Sequence, residues 1–142
     1  MTRPSTLSSV SEQIREGTPQ SKAVAEFLDE FYQAHDKLAQ AASLHDEPPP
    51  TGNNQVDALL AAICEYLTKQ HGLPDVPCWV AGPTRFLAEP WFTNIAGGDA
   101  MCEYLAFTSP AEFRHHNIFT EARPLRRATQ RLDAKATAAE ED

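Results

Sequence analysis

Basic charge is scarce in this chain. Its 142 residues carry 12 Lys+Arg against 20 Asp+Glu, a net charge of −8 with histidines neutral and a pI near 5.0. A general nucleic-acid or anionic-membrane coat needs a net positive surface, so this balance argues against both. Cysteine is sparse too. Cys64, Cys78 and Cys102 contain no CxxC pair, and an odd number argues against a disulfide framework. No window approaches the roughly 18 apolar residues of a membrane span. The opening MTRPSTLSSVSEQIREG lacks the apolar stretch of about seven residues that a secretory signal needs. These absences lead to the expectation of a cytoplasmic protein without a membrane partner, its thiols reduced and partly buried. Strand signals are thin, with no long alternating run of β-branched residues.

What the chain does have is helical patterning. A hydrophobic share of 42% with 23% charged residues is that of a globular domain. The length is that of one domain. Residues 1–20 form a polar arm in which Leu7, Val10 and Ile14 share a stripe before Gly17. This is a short helix or a segment that orders against a partner. From Ser21, a good N-cap, Ala23, Phe27, Phe31, Ala34, Leu38 and Ala41 recur at spacings of three and four, with no Gly or Pro before Glu47. The spacing predicts one continuous amphipathic helix of about five turns.

HDEPPPTGNN (45–54) reads as a loop, and a second helix follows from Gln55 to Gln70, with Val56, Leu59, Leu60, Ile63 and Leu67 inward and Gly72 as its stop. Leu73–Pro90 holds four prolines and reads as an irregular cover with a short helix around Thr84–Ala88. Asp99 is placed to cap a helix through Phe107. Ser109, Pro110 and Glu112 suit the N-cap, N1 and N3 positions of another, which Asn117 ends. Pro124 opens a last helix with Leu125, Ala128 and Leu132 on one face. The fold class expected is all-α, a compact bundle of about four to six helices under a Pro-rich irregular cover. Its boundaries are 21–132, with 133–142 an acidic flexible tail.

Chemistry is harder to assemble. Cys64, His71, Cys78, Cys102, His115 and His116 offer soft ligands, yet the only close pair is His115-His116. Neighbours on a helix point about 100° apart and rarely share an ion, so no metal and no cofactor are expected. Cys64 and Cys102 both begin a Cys-Glu-Tyr-Leu tetrapeptide, but each lies beside an apolar stripe, where a free thiol acts as a small hydrophobe. Gly97-Gly98 lacks a phosphate-loop context. No convergent acid–base set emerges, and no catalytic residue is expected.

Charge is more informative between Ala111 and Arg131. Arg114, Arg123, Arg126, Arg127 and Arg131 against Glu112 and Glu121 make the segment +3, beside His115 and His116. Such a segment reads phosphates or docks on an acidic partner. Equally, its arginine stems cover core while their heads pair with acids on the first helix. Trp91-Phe92 is core or an exposed anchor of the kind that dominates binding hot spots. The candidate partner-binding residues are Trp91, Phe92, Arg114, His115, His116, Arg123, Arg126 and Arg127.

Three segments together resemble a known family: Phe27-Leu28-Asp29-Glu30-Phe31-Tyr32, Pro90-Trp91-Phe92 and Ser109-Pro110-Ala111-Glu112-Phe113-Arg114-His115-His116-Asn117-Ile118-Phe119. They resemble the small helical bacterial proteins encoded beside AbiEii/MenT-type nucleotidyltransferase toxins. The likeness spans residues 23–128. It implies a non-enzymatic, antitoxin-like module that binds and restrains a nucleotidyltransferase-fold partner. The arm before Ser21 is too short for the helix-turn-helix of fused members. The alternative is a transcriptional or nucleic-acid-binding accessory that uses segment 111–131. A thiol- or metal-dependent enzyme is the third reading, and equimolar bound metal would be its mark.

Overall fold

The structure, a computed structural model, describes residues 3–34 and 36–127. Six helices appear among them: α1 (Leu7–Arg15), α2 (Gln20–Gln33), α3 (Lys37–His45), α4 (Asn54–Gln70), α5 (Gly98–Thr108) and α6 (Ala111–His115). Two 3-10 turns, Cys78–Ala81 and Pro83–Arg85, lie in the irregular cover. The all-α class holds, with one addition: β1 (Trp91–Phe92) pairs in parallel with β2 (Ile118–Phe119), Trp91 opposite Ile118. No helix among the described residues is long and apolar enough to cross a membrane.

α4 is the axis. The Asn53 side chain accepts the first free N–H groups of the helix, from Gln55 and Val56, and Gly72 at φ +61° turns the chain away after its end. Twelve of its 17 residues are buried, so it is covered nearly all round, by α6 and both 3-10 turns among others. Phe27, Leu28 and Phe31 of α2 and Phe113 of α6 share its core. Arg85 is wholly buried and holds the Pro-rich loop onto this axis. Its guanidinium donates to Asp57 O (3.1 Å) and Pro48 O (2.8 Å), with its Cζ 4.8 Å from the centroid of the Trp79 ring.

The continuous helix predicted from Ser21 is in fact two. Ala34 turns extended, with ψ 123°, and Asp36 caps α3 by accepting the Leu38 N–H. The Gln40 amide then donates to Phe31 O and Ala34 O, satisfying carbonyls at the end of α2. The break takes Leu38 off the apolar stripe, to 80% exposure. Ser109 differs as well. It closes α5 instead of capping α6, its hydroxyl lying beside Leu105 O and Thr120 O and accepting the Thr120 N–H. The N-cap position of α6 falls to Pro110, and α5 begins after Gly97 with Asp99 inside its first turn.

The expected polar arm is partly core. Leu7 and Val10 of α1 are fully buried and α1 packs on α2, so the boundary at residue 21 divides segments that the packing joins. The Tyr32 hydroxyl donates to Leu125 O at 2.8 Å, tying the end of the described chain to α2. The helix predicted from Pro124 and the tail at 133–142 fall mainly outside the described residues.

Candidate functional site

Glu65, His115 and His116 converge where α6 ends against α4. Glu65 faces one flank of an almost fully covered helix and is only 6% exposed. Its Oε1 lies 3.1 Å from His115 Nδ1 and 3.1 Å from His116 Nε2, while Lys69 Nζ, one turn along α4, sits 3.3 Å from Oε2. The two imidazoles meet because the helix stops between them. His115 is the last residue of α6, and His116 has already left it at φ −97°, ψ 12°. Asn117 at φ +68° then directs the chain into β2. The 100° divergence expected of neighbours within a helix therefore does not apply.

His116 is completely buried, with Phe86 stacked on its ring at 4.6 Å between centroids. Its Nδ1 is 2.6 Å from Arg85 O, and a carbonyl only accepts, so Nδ1 carries a proton. Its Nε2 then faces a carboxylate, a second acceptor, across 3.1 Å. A proton or a metal ion must lie between them, because two lone pairs at that distance repel. Burial raises the Glu65 pKa, but hydrogen bonds with His115, His116 and Lys69 outweigh it and hold the carboxyl below its ordinary range. The ligand atoms of the three residues all lie within 4.8 Å of one another.

The other sequence candidates are dispersed. Trp91 is half-buried against the core, and Phe92 stacks on Phe119 at 4.9 Å. Arg114, Arg123 and Arg126 are exposed. Arg127 forms a two-pronged pair with Asp29 of α2, Nε to Oδ1 at 3.0 Å and Nη2 to Oδ2 at 3.1 Å, which raises the guanidinium pKa. One arginine of the basic segment thus pairs with an acid of the first long helical stretch. The cysteines also separate. Cys64 is buried, its thiol pushed up to about 12 by desolvation, whereas Cys78 is exposed and Cys102 half-buried. The first is an inert core thiol.

Besides Leu38 of α3, the large apolar side chains left most exposed among the described residues belong to α5 and the loop before it. Phe107 is 88% exposed, Ile95 73% and Tyr104 57%. Sequence reasoning missed both this face and Arg85. For α5 a signal was present: its apolar residues run too far round the helix for one buried stripe. Glu65 had no signal of its own, since its partners lie some fifty positions away in sequence. No protein-family model, no curated protein and no solved structure matches this chain.

Proposed function

We propose that the protein is a cytoplasmic interaction module that docks on a protein partner through α5. The observation that carries this reading is the exposure of Tyr104 and Phe107, three residues apart and hence neighbours on the helix surface. Asp99 and Glu103, both exposed, supply acidic edges. An apolar helix face edged with carboxylates suits a partner groove that is apolar at its centre and basic at its rim. The antitoxin-like role implied by the family resemblance is a case of this reading. In it the partner is a nucleotidyltransferase-fold toxin, whose nucleotide site would supply the basic rim.

The test is a nuclease-treated pull-down from lysate, with the wild type beside a Tyr104→Ser/Phe107→Ser double variant. A stoichiometric protein retained by the wild type and lost by the variant, at unchanged thermal stability, supports the reading. Equal retention by both removes α5 as the interface. Recovery of nucleic acid at low salt without a protein partner favours the accessory reading through Arg114, Arg123 and Arg126.

A further inference from the structure

We propose that Glu65, His115 and His116 form a binding site for a divalent transition-metal ion of the zinc class. Two imidazole nitrogens and a carboxylate are the borderline donor set that such ions prefer. Ligand atoms about 2.0–2.1 Å from a tetrahedral ion stand roughly 3.3 Å from one another. Both imidazole-to-carboxylate separations are 3.1 Å, already close to that edge. The third separation is within 4.8 Å and closes by rotation of the His115 ring, whose side chain is 56% exposed.

The surroundings of His116 carry the proposal beyond a count of ligands. Metal-bound imidazoles donate their second N–H to a carbonyl or carboxylate, which fixes the tautomer and turns the free lone pair toward the ion. The Nδ1–H of His116 makes this bond to Arg85 O, leaving Nε2 as the ligand atom toward Glu65. Phe86 covers the ring and is also 5.2 Å, centroid to centroid, from that of His115, so one side of the site is apolar. Lys69 is the competing cation. Its side chain is 55% exposed, and its ammonium moves into solvent when an ion takes over Glu65. Three protein ligands leave a fourth position on the solvent side, beside His115. The bound ion would tie the end of α6 to α4 and, through Arg85, to the second 3-10 turn.

The experiment titrates the metal-stripped 142-residue chain with Zn²⁺ alone, against a chromophoric chelator, in a Cys78→Ser/Cys102→Ser background. The expected result is one equivalent bound, a thermal midpoint raised by Zn²⁺ and restored by EDTA, and affinity lowered at least about 100-fold by His115→Ala. His115 is largely exposed, so this variant keeps the fold. Glu65→Gln, which retains the shape of the buried side chain, should show the same loss. Co²⁺ in place of Zn²⁺ should give visible bands of a nitrogen–oxygen site without thiolate charge transfer. Absence of stoichiometric binding overturns the proposal. So does affinity undiminished by His115→Ala, or a thiolate band from Co²⁺.

Discussion

α4 and α5 make opposite use of apolar sequence. α5 is on average the more hydrophobic of the two helices, yet Leu105 is its only buried residue, whereas α4 buries twelve. Hydropathy therefore does not decide which helix is core. Position does. α4 is enclosed by α2, α6 and the Arg85-anchored cover, while α5 lies at the margin beside β2. Apolar surface stays in water only at a free-energy cost, about 25 cal/mol for each Å². An apolar helix held at the margin carries that cost uncovered, and it is the surface that the proposed docking would bury.

The contrast breaks most sharply in paired phenylalanines. Phe31 is 3% exposed in the core that α4 organises, and Phe31→Ala should lower stability by about 3–5 kcal/mol in urea denaturation. A loss near zero would show that α2 presents an interface instead of core. Next in size is Arg85→Met, which fills much of the same volume but leaves Pro48 O and Asp57 O without their donor. At about 1–3 kcal/mol for each of the two orphaned carbonyls, a loss of about 2–6 kcal/mol is expected, toward its lower half because the buried guanidinium charge goes with its donors. A neutral result would mean that the cover is held by Trp79 and the prolines alone.

A pH effect sharpens the same core. His71 follows α4, its ring 5.0 Å from that of Phe31. Burial, with the Lys37 ammonium adding to it, holds its pKa below the ordinary value. The unfolded chain then takes up this proton more readily than the folded one. The contribution of His71 is complete above its unfolded value near 6.5 and is lost as pH falls from there toward the folded value. His71→Gln should flatten that part of the stability–pH curve. An unchanged slope between variant and wild type would assign the acid sensitivity to other groups.

The elements most legible in the sequence were those that local chemistry specifies. α4 runs within one residue of its predicted bounds because Asn53, the apolar stripe and Gly72 agree. The α2–α3 break was hidden because it has no Gly or Pro. It is made by Asp36 and by the bond of Gln40 back to the end of α2, neither of which disturbs the apolar period. Ser109 fitted an N-cap pattern by spacing, but pairing with Thr120 gave its hydroxyl a better use. The metal-ligand argument failed at its geometric premise. His115 and His116 were placed inside a helix, and the chain leaves the helix between them.

The smallest expected effect on stability bears most on function. Phe107→Ser on α5 should change unfolding free energy by about 0.5 kcal/mol or less, since little of the ring is withdrawn from water. In most proteins a Phe→Ser change is among the costlier substitutions, so a near-neutral result here would be specific to this helix. The same variant should weaken partner capture by a much larger factor, because a central aromatic anchor commonly contributes 2 kcal/mol or more to binding, roughly 30-fold. Stability and binding would then respond oppositely at Phe107 and Phe31. If Phe107→Ser instead lowers stability by about 2 kcal/mol or more, α5 packs against part of this chain or a second copy. The exposed face would then belong to folding or self-association, not to a foreign partner. Repeating the denaturation at several protein concentrations separates those two outcomes, because only self-association makes the midpoint depend on concentration.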